Sequence, residues 1–227
     1  MSAHPSLALV IPTLNAAQTL LSTIESHKPL ELSELIIVDG GSKDDTVAIA
    51  QHADARVIHS PAGRGNQLAM GAKNTTTDWI LFQHADTQLT ELSCRNIRKY
   101  ITDPSHVWCA GYCRFSIMDK GVMASILERY VAIRCRLFSL PYGDQGLLIT
   151  RSLYEDIGGY KDIPLMEDVD IVERLGRKRL TCLDAEAMTS AERFRRAGYL
   201  VRGIRNLICL VLYRCGVAPE RIAKLYE

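Results

Sequence analysis

The segment LIIVDGGSKDDT, residues 35–46, decides the fold of this chain. Its apolar run, Leu35 to Val38, is short and continuous, as in a strand buried on both faces. The run stops at Asp39-Gly40-Gly41-Ser42, a composition typical of turns, and Asp44-Asp45 then begin a segment with helical spacing of apolar residues. The stretch therefore predicts a strand, a polar loop and a helix.

The same unit repeats on both sides of this stretch. An apolar run from Leu7 to Ile11 ends at Pro12, and from Asn15 onward apolar residues are spaced as one face of a helix. Further along the chain we predict the strand Arg56–His59, the helix Gly65–Lys73 and the strand Trp79–Phe82. Strands of this kind alternating with helices predict an α/β fold with a mostly parallel sheet flanked by helices on both faces.

The topology also predicts where a ligand binds. In parallel sheets, ligands occupy the crevice outside the carboxyl ends of the strands. Pro12-Thr13, Asp39 and Asp86 all follow predicted strands directly, so we expect them around one cleft.

The second half of the chain is less regular, and the change near residue 90 predicts a boundary between two halves of one domain covering residues 1–227. We predict helices at Leu92–Ile101 and Val122–Phe138, others beginning near Arg151 and after Pro164, and strands at Val107–Ile117, Leu147–Thr150 and Leu180–Leu183.

The tail, residues 191–227, carries 8 Lys/Arg against 3 Asp/Glu. We predict a basic amphipathic helix from Glu192 to Arg214. Its apolar stripe comprises Phe194, Ala197, Val201, Ile204, Ile208 and Val211, and the arginines lying mostly away from the stripe are Arg195, Arg196, Arg202 and Arg205. Core packing with a solvated outer face is the favoured interpretation, and peripheral attachment to anionic lipid is the alternative.

Bulk composition sets limits on location and partners. With 227 residues, 47% of them hydrophobic, and a net charge of +1, the chain reads as a soluble globular protein with no field that would recruit nucleic acid. Seven cysteines without a CxxC pair predict neither a zinc site nor disulfides, and hence a cytoplasmic location. No signal peptide and no transmembrane span are expected, because the longest apolar stretch, Leu207 to Tyr213, is far below the roughly 20 residues required.

Several polar residues suit the chemistry of a nucleotide ligand. Asp39 can accept hydrogen bonds from a base or a ribose hydroxyl, with glycines beside it that permit close approach, or it can simply cap a turn. Asp86 suits a hard cation such as Mg²⁺ or Mn²⁺, although a lone Asp after a strand is usually a turn residue. His84 is a further candidate ligand or an ordinary structural histidine.

Two other segments carry charge that a reaction could use. Glu167-Asp168 opens a helix, where either carboxylate could act as a general base or merely favour the helix N-terminus. Gly63-Arg64-Gly65-Asn66-Gln67 is a turn into a helix whose arginine could hold phosphate oxygens. No Walker loop is present, and no GxGxxG follows the first strand, which argues against a nicotinamide dehydrogenase.

Four of these blocks together resemble the family 2 glycosyltransferases, which have the GT-A fold. The blocks are VIPTLN at 10–15, IVDGGSKDDT at 37–46, QHAD at 83–86 and MED at 166–168. Three further stretches, GRGNQ at 63–67, YGDQG at 142–146 and GVAPER at 216–221, resemble the radical-SAM/selenodomain-associated transferase 2 subgroup, which is linked to arsenosugar biosynthesis.

The resemblance implies an inverting transfer of a sugar from a nucleoside-diphosphate sugar to a hydroxyl acceptor, with residues 1–90 binding the donor and residues 91–190 the acceptor. Asp86 would ligate Mn²⁺ or Mg²⁺, and Asp168, paired with Glu167, would be the catalytic base. The other implied donor-site residues are Pro12, Thr13, Asn15, Asp39, Gly40, Ser42, Arg64, Gln67, His84 and Ala85, and those implied for the acceptor are Gly143, Asp144 and Gln145.

Two positions depart from the wider family's pattern. His84-Ala85-Asp86 stands where that family has Asp-x-Asp, which leaves one carboxylate for the metal. Ala69 stands where an Asn is common, so Arg64 or Gln67 is the expected diphosphate contact. A non-catalytic nucleotide-sugar-binding domain with a degenerate metal site therefore remains the alternative interpretation.

Overall fold

The structure is a computed structural model that describes residues 4–226, apart from the side chains of Arg193, Arg196, Ala197, Leu200 and Tyr226. The predicted positions of Ala197 in the apolar stripe and of Arg196 away from it therefore lie outside the described residues. The strands are β1 Leu7–Thr13, β2 Glu34–Asp39, β3 Arg56–His59, β4 Trp79–Phe82, β5 Thr87–Leu89, β6 Ala110–Ile117, β7 Leu147–Thr150 and β8 Leu180–Thr189.

The helices bracket these strands in chain order. They are α1 Ala17–His27, α2 Thr46–His52, α3 Arg64–Lys73, α4 Glu91–Ile101, α5 Val122–Phe138, α6 Arg151–Asp156, α7 Glu167–Leu175, α8 Glu192–Ala197, α9 Tyr199–Arg214 and α10 Pro219–Tyr226. All eight strands form one sheet in the order β3-β2-β1-β4-β7-β6-β8-β5. Neighbours from β3 to β4 are parallel, as are β6 and β8, whereas β7 runs antiparallel to β4 and β6 and β5 runs antiparallel to β8. The predicted α/β fold with a mostly parallel sheet is confirmed.

Both faces of the sheet are covered, which explains why the central strands are apolar throughout. Val10 and Ile80 pack into a cluster with α3, α7 and α9, while the alternate residues Leu9 and Leu81 pack into a second cluster with α1 and α4. Each fully buried aliphatic side chain of this kind stabilises the fold by about 1.5–3 kcal/mol. The two clusters hold the carboxyl ends of β1, β2 and β4 side by side.

Two strand boundaries differ from the sequence prediction. The segment at Val107 joins β6 only from Ala110, because a 3₁₀ turn at Pro104–His106, capped by Asp103, precedes the strand. β8 extends from the predicted end at Leu183 to Thr189, with buried and exposed residues alternating. β5 was not predicted at all, since three residues form no recognisable apolar run.

The predicted single helix from Glu192 to Arg214 is wrong. It is two helices, α8 and α9, separated at Gly198, whose φ of 80° lies in the left-handed region that favours glycine. The favoured interpretation of its stripe is wrong too, because most of the stripe faces outward. Phe194 is buried, but Val201, Ile204, Ile208 and Val211 are 63%, 58%, 51% and 52% exposed. Helix α9 instead packs on the core through Cys209 and Leu210.

Within residues 4–226, no helix has the length and apolarity to cross a membrane. All seven cysteines are free thiols, and Cys182 and Cys215 are exposed.

Candidate functional site

A cleft lies at the carboxyl ends of β1 and β4 and consists of two adjoining cavities. The large cavity has a volume of about 580 Å³ and the small cavity about 190 Å³. Four residues line both, namely Arg64, His84, Asp86 and Ser190. The large cavity is within the size range of small-molecule sites.

Asp39 anchors the loop after β2. One oxygen of its carboxylate, Oδ2, accepts hydrogen bonds from the backbone N–H groups of Gly41 and Ser42, each at 2.9 Å, and Oδ1 accepts from the hydroxyls of Ser42 and Thr13 at 2.5 and 3.1 Å. Burial by itself would raise the pKa of Asp39, but these hydrogen bonds bring the pKa below its usual value. The carboxylate is 1% exposed and lines neither cavity, so in this structure it shapes the loop rather than the cavity wall.

The loops after β1 and β2 are fastened to each other. Asn15, at a φ of 52°, donates its N–H to the Ser42 hydroxyl at 2.8 Å and accepts from the Lys43 N–H at 2.8 Å. Gln67 of α3 donates its amide to the carbonyls of Thr13 and Val38 at 2.8 and 2.7 Å. These contacts give the large cavity a wall that is already ordered without ligand.

Arg64 links the β4 loop to the start of α7. Its Nε lies 3.1 Å from Oε1 of Glu167, and its Nη1 lies 3.4 Å from Nε2 of His84. Because Arg64 lines both cavities, its guanidinium lies where they adjoin, and a guanidinium can bind phosphate or carboxylate oxygens.

The first residues of α7 bring two carboxylates to the small cavity. Met166, immediately before the helix, has a φ of 69°, a conformation that costs a non-glycine residue free energy. Glu167 is 2% exposed, and burial raises its pKa despite the neighbouring Arg64, with Asp168 adding to the rise. The turn thus directs a buried, weakly acidic carboxyl toward Arg64.

Asp168 is half-buried and faces the small cavity. Its Oδ2 accepts the backbone N–H of Gly143 at 2.9 Å, and its Oδ1 accepts the N–H of Val169 at 2.8 Å. The two backbone donors fix the carboxylate, which still has lone pairs for a further donor.

The segment Gly143–Gln145 positions its neighbours. A Cβ on Gly143 would lie 2.6 Å from Nε2 of His84, so a larger residue here would force the His84 ring or the loop to shift. Gln145 is 1% exposed and lines neither cavity. Its side-chain amide donates a hydrogen bond to the carbonyl of Cys113 and accepts one from the guanidinium of Arg134. Asp144 does line the small cavity, and burial raises its pKa to about 6, opposed by Arg134 and assisted by Asp168 and Asp86.

Most of the expected site residues meet in this cleft. Those lining the large cavity are Pro12, Thr13, Asn15, Arg64, Gln67, His84, Ala85 and Asp86, and those lining the small cavity are Arg64, His84, Asp86, Gly143, Asp144, Glu167 and Asp168. Asp39, Gly40, Ser42 and Gln145 line neither cavity. Lining residues that the sequence did not indicate include Asp44, Ser190, Arg202 and Asn206. Asp44 was visible in the sequence, but as a helix start.

A cation bound in this cleft would need ligands from a substrate in addition to those from the protein. Among residues 4–226, no cluster of three or more His, Cys, Asp or Glu side chains is arranged to hold a metal. Asp86 and Asp144 nevertheless face the same cavity, and Oδ1 of Asp144 is buried and accepts no hydrogen bond from the described residues. One or two carboxylates completed by phosphate oxygens and water suit Mg²⁺ or Mn²⁺, so these residues fit such an ion.

Comparison with solved structures shows the fold. The glucosyl-3-phosphoglycerate synthase of Mycobacterium tuberculosis, solved with Mn²⁺ and UDP-glucose, aligns over 95% of this chain and 80% of its own, with a TM-score of 0.63 and 22% identity. TarS of S. aureus (residues 1–349) aligns over 90% of this chain and 64% of its own, with a TM-score of 0.61 and 13% identity. The architecture is therefore that of GT-A glycosyltransferases.

Sequence comparison gives relatives and a family. A PGL/p-HBAD biosynthesis glycosyltransferase of Mycobacterium bovis is 36% identical over 98 residues, 39% of this chain and 38% of the relative. The glucosyl-3-phosphoglycerate synthase of Mycolicibacterium smegmatis is 34% identical over 93 residues, 36% of this chain and 31% of the relative. The matches thus span about a third of these relatives' lengths. The family model for glycosyl transferase family 2 matches residues 8–157, about two thirds of the chain, and the chain therefore belongs to glycosyl transferase family 2.

Proposed function

We propose that this chain transfers a sugar from a nucleoside-diphosphate sugar to a hydroxyl acceptor, with inversion at the sugar carbon. The observation that carries the proposal is the shared small cavity. Asp86, which also lines the large cavity, and Asp168 both face it. A leaving diphosphate and an attacking hydroxyl can therefore be served from opposite ends of one cleft.

The donor occupies the large cavity in this proposal. Pro12, Thr13 and Asn15 flank the nucleotide base, and Arg64 extends along the diphosphate toward the small cavity. Two of the structural neighbours were solved with uridine nucleotide sugars, which supports this class of donor. Asp39 acts by holding the loop that forms the wall, and the predicted direct contact of Asp39 with the nucleoside remains a prediction.

Asp86 would hold a divalent cation, with Asp144 as the other carboxylate of the same cavity. Mn²⁺ or Mg²⁺ bound there would neutralise negative charge on the departing diphosphate. Arg64, already placed between the cavities, contributes a fixed positive charge to the same oxygens. His84 packs between Arg64 and Gly143 and keeps both in place.

Asp168 is the proposed catalytic base. The acceptor oxygen forms a bond to the anomeric carbon, the bond from that carbon to the diphosphate oxygen breaks, and the acceptor proton passes to the carboxylate of Asp168. The backbone N–H groups of Gly143 and Val169 hold that carboxylate in one orientation, which preserves the geometry needed for proton transfer.

Other expectations rest on the sequence alone and stay proposals. They are membership of the radical-SAM/selenodomain-associated transferase 2 subgroup, acceptor binding by residues 91–190 and a cytoplasmic location. The acceptor itself is a hydroxyl compound that enters through the small cavity.

A ligand screen followed by a turnover assay tests the proposal. Thermal shift with a panel of nucleoside-diphosphate sugars, with Mn²⁺ and with chelator, should identify a donor that raises the melting midpoint only when the cation is present. With that donor and a panel of hydroxyl acceptors, release of nucleoside diphosphate should follow, and NMR of the product should show the inverted anomer. Tight cation-dependent binding without turnover across the panel would instead support a non-catalytic binding domain, and a retained anomer would exclude direct displacement.

A further inference from the structure

Helix α5 carries an apolar stripe on the outside of the molecule. Val122, Ile126, Tyr130, Ile133 and Leu137 follow one another at intervals of three and four residues, so they lie on one helix face. All five are among the exposed large side chains, from Tyr130 at 42% to Val122 at 78%. The opposite face of α5 packs on β6 through Val131 and Cys135.

Helix α9 carries the matching stripe. Val201, Ile204, Ile208 and Val211 are all more than half exposed, as described above. The two helices are in contact, and between them lies an open cavity of about 250 Å³ whose walls are almost entirely apolar, with Tyr130 among the α5 residues and Ile204 among the α9 residues. We call the surface made by the two stripes the α5–α9 face.

Neighbouring apolar stripes on two helices indicate a site of association. Single exposed apolar residues are ordinary, but two adjacent stripes beside an apolar cavity form a continuous apolar surface. The amphipathicity of α9 is also inverted relative to a solvated helix. Arg202 and Arg205 are less exposed than the isoleucines beside them. The arrangement suits a helix whose apolar side meets a partner.

The charges around the α5–α9 face are mostly positive. The sequence of α9 contains no Asp or Glu, and the only acid in α5 is Glu128, which turns inward and accepts the Ile117 N–H at 2.9 Å. Arg129 and Arg136 of α5 are exposed beside the stripe. Asp119, next to the helix pair, is already paired with Arg195 and Tyr199. The rim is therefore basic.

This charge pattern decides between two occupants. A second copy of the chain, docked through the same face, would set arginines against arginines, and like charges across an interface disfavour association. Anionic lipid headgroups complement the arginines, while the acyl region accepts the stripes. We propose that the α5–α9 face docks the protein peripherally on an anionic lipid bilayer.

The docking face is separate from the cleft. Arg202 and Asn206 line the small cavity from α9, at helix positions roughly opposite Ile204 and Ile208. The apolar stripe can therefore contact lipid while the other side of α9 faces the cleft. Lipid binding itself needs neither donor nor turnover, so it is independent of the proposed function.

Vesicle flotation of the full chain tests the proposal directly. The chain should float with vesicles of phosphatidylcholine and phosphatidylglycerol, bind pure phosphatidylcholine at least about tenfold more weakly, and dissociate at high salt. The double variants Ile133→Ser with Ile208→Ser, and Arg129→Gln with Arg136→Gln, should each weaken binding by on the order of tenfold. All four residues are exposed, so the melting midpoint should remain close to that of the wild type.

The matched control lies on α4, on the other side of the sheet. Leu92 and Lys99 are exposed there, and Leu92→Ser with Lys99→Gln should leave flotation unchanged. Absence of flotation with every vesicle composition overturns the proposal. So does flotation that the α5–α9 variants do not reduce, or a dimer in sedimentation that these variants dissociate while vesicles have no effect.

Discussion

Asp39 and Glu167 are two carboxyl groups with nearly the same burial and opposite electrostatics. Asp39 is 1% exposed and Glu167 2% exposed. The hydrogen bonds around Asp39, two from backbone N–H groups and two from hydroxyls, lower its pKa, whereas Glu167 has the Arg64 guanidinium at 3.1 Å but too little compensation for burial, so its pKa is raised. Burial alone therefore does not distinguish a structural carboxylate from one whose pKa is raised at a functional site. The number of hydrogen-bond donors around the carboxylate distinguishes them.

The same contrast separates the two regions of the cleft. The polar groups of the loops after β1 and β2 hydrogen-bond one another. Ser42 donates to Asp39 and accepts from Asn15, so these contacts stabilise the two loops. The rim formed by the β4 loop and the start of α7 leaves polar groups facing the cavity, among them Asp86 and Asp168. We expect substitutions in the first region to alter stability and those in the second to alter turnover.

The largest effect is expected for Asp168→Asn. The amide retains an oxygen to accept the Gly143 N–H, gives up the bond from the Val169 N–H and cannot take a proton, so turnover should fall by about 10²–10⁴-fold with a much smaller effect on the melting midpoint. Steady-state kinetics and thermal melts of the purified variant measure both. Asp162→Asn, at an exposed position in the segment preceding α7, is the matched control and should retain full turnover. Unchanged turnover in Asp168→Asn would remove this residue as the base.

A smaller effect is expected for Gly143→Ala. The added Cβ would stand 2.6 Å from the His84 ring, so the ring or the loop must shift, and the Gly143 N–H that orients Asp168 shifts with it. Misplacement on this scale should reduce kcat by roughly 10–100-fold. Gly121→Ala, whose Cβ meets nothing within 4 Å, serves as the control. Equal kcat for the two variants would mean that the contact of Gly143 with His84 has no role in orienting the base.

The smallest effects concern stability, and their dependence on pH should have opposite signs. The lowered pKa of Asp39 stabilises the fold above its unfolded value of 3.8, and this contribution is lost as the pH falls through the folded pKa. The raised pKa of Glu167 costs stability as the pH rises above 4.5 and through the folded pKa. Asp39→Asn should lower the free energy of unfolding at neutral pH by about 1.5–3 kcal/mol. Glu167→Gln should not lower it, because the amide removes the cost of ionising a buried carboxyl.

Urea unfolding across pH 3 to 8 measures these profiles. The difference in free energy of unfolding between the wild type and Asp39→Asn should be smallest at the acid end of this range. In the wild type, ionisation of Glu167 should lower the free energy of unfolding as the pH rises, and Glu167→Gln should abolish that decrease. Two profiles of the same sign would contradict the distinction between the regions.

The sequence predicted β1, β2 and β4 well for a physical reason. Each contains a short apolar run ended by polar turn residues, and burial on both faces makes the pattern unambiguous, as for Leu35 to Val38. β5 and the second half of β8 lack that signal. Asp184 and Glu186 alternate with buried alanines in β8, so a run that is half exposed was ended too early.

The sequence predicted which residues meet at the site better than it predicted what each side chain does there. The strand ends predicted Asp86 at the cleft, and the family resemblance implied Asp168 as a further site residue; both line the small cavity. Local sequence could not show that Gln67 and Gln145 turn their amides into the backbone, because those bonds join segments distant in the chain. Nor could it show that the stripe of α9 faces outward, since a periodic pattern defines a helix face without saying what covers it.

The central claim is that a divalent cation at Asp86 binds the donor diphosphate beside Asp168. Calorimetric titration of the nucleoside diphosphate of the identified donor, with Mn²⁺ and with chelator, tests it most directly in the wild type and in Asp86→Asn. We predict that Mn²⁺ tightens binding to the wild type by at least about tenfold, equivalent to about 1.4 kcal/mol, and has little effect on the variant. Equal affinities with and without the cation in the wild type, or an undiminished cation effect in Asp86→Asn, would contradict the account.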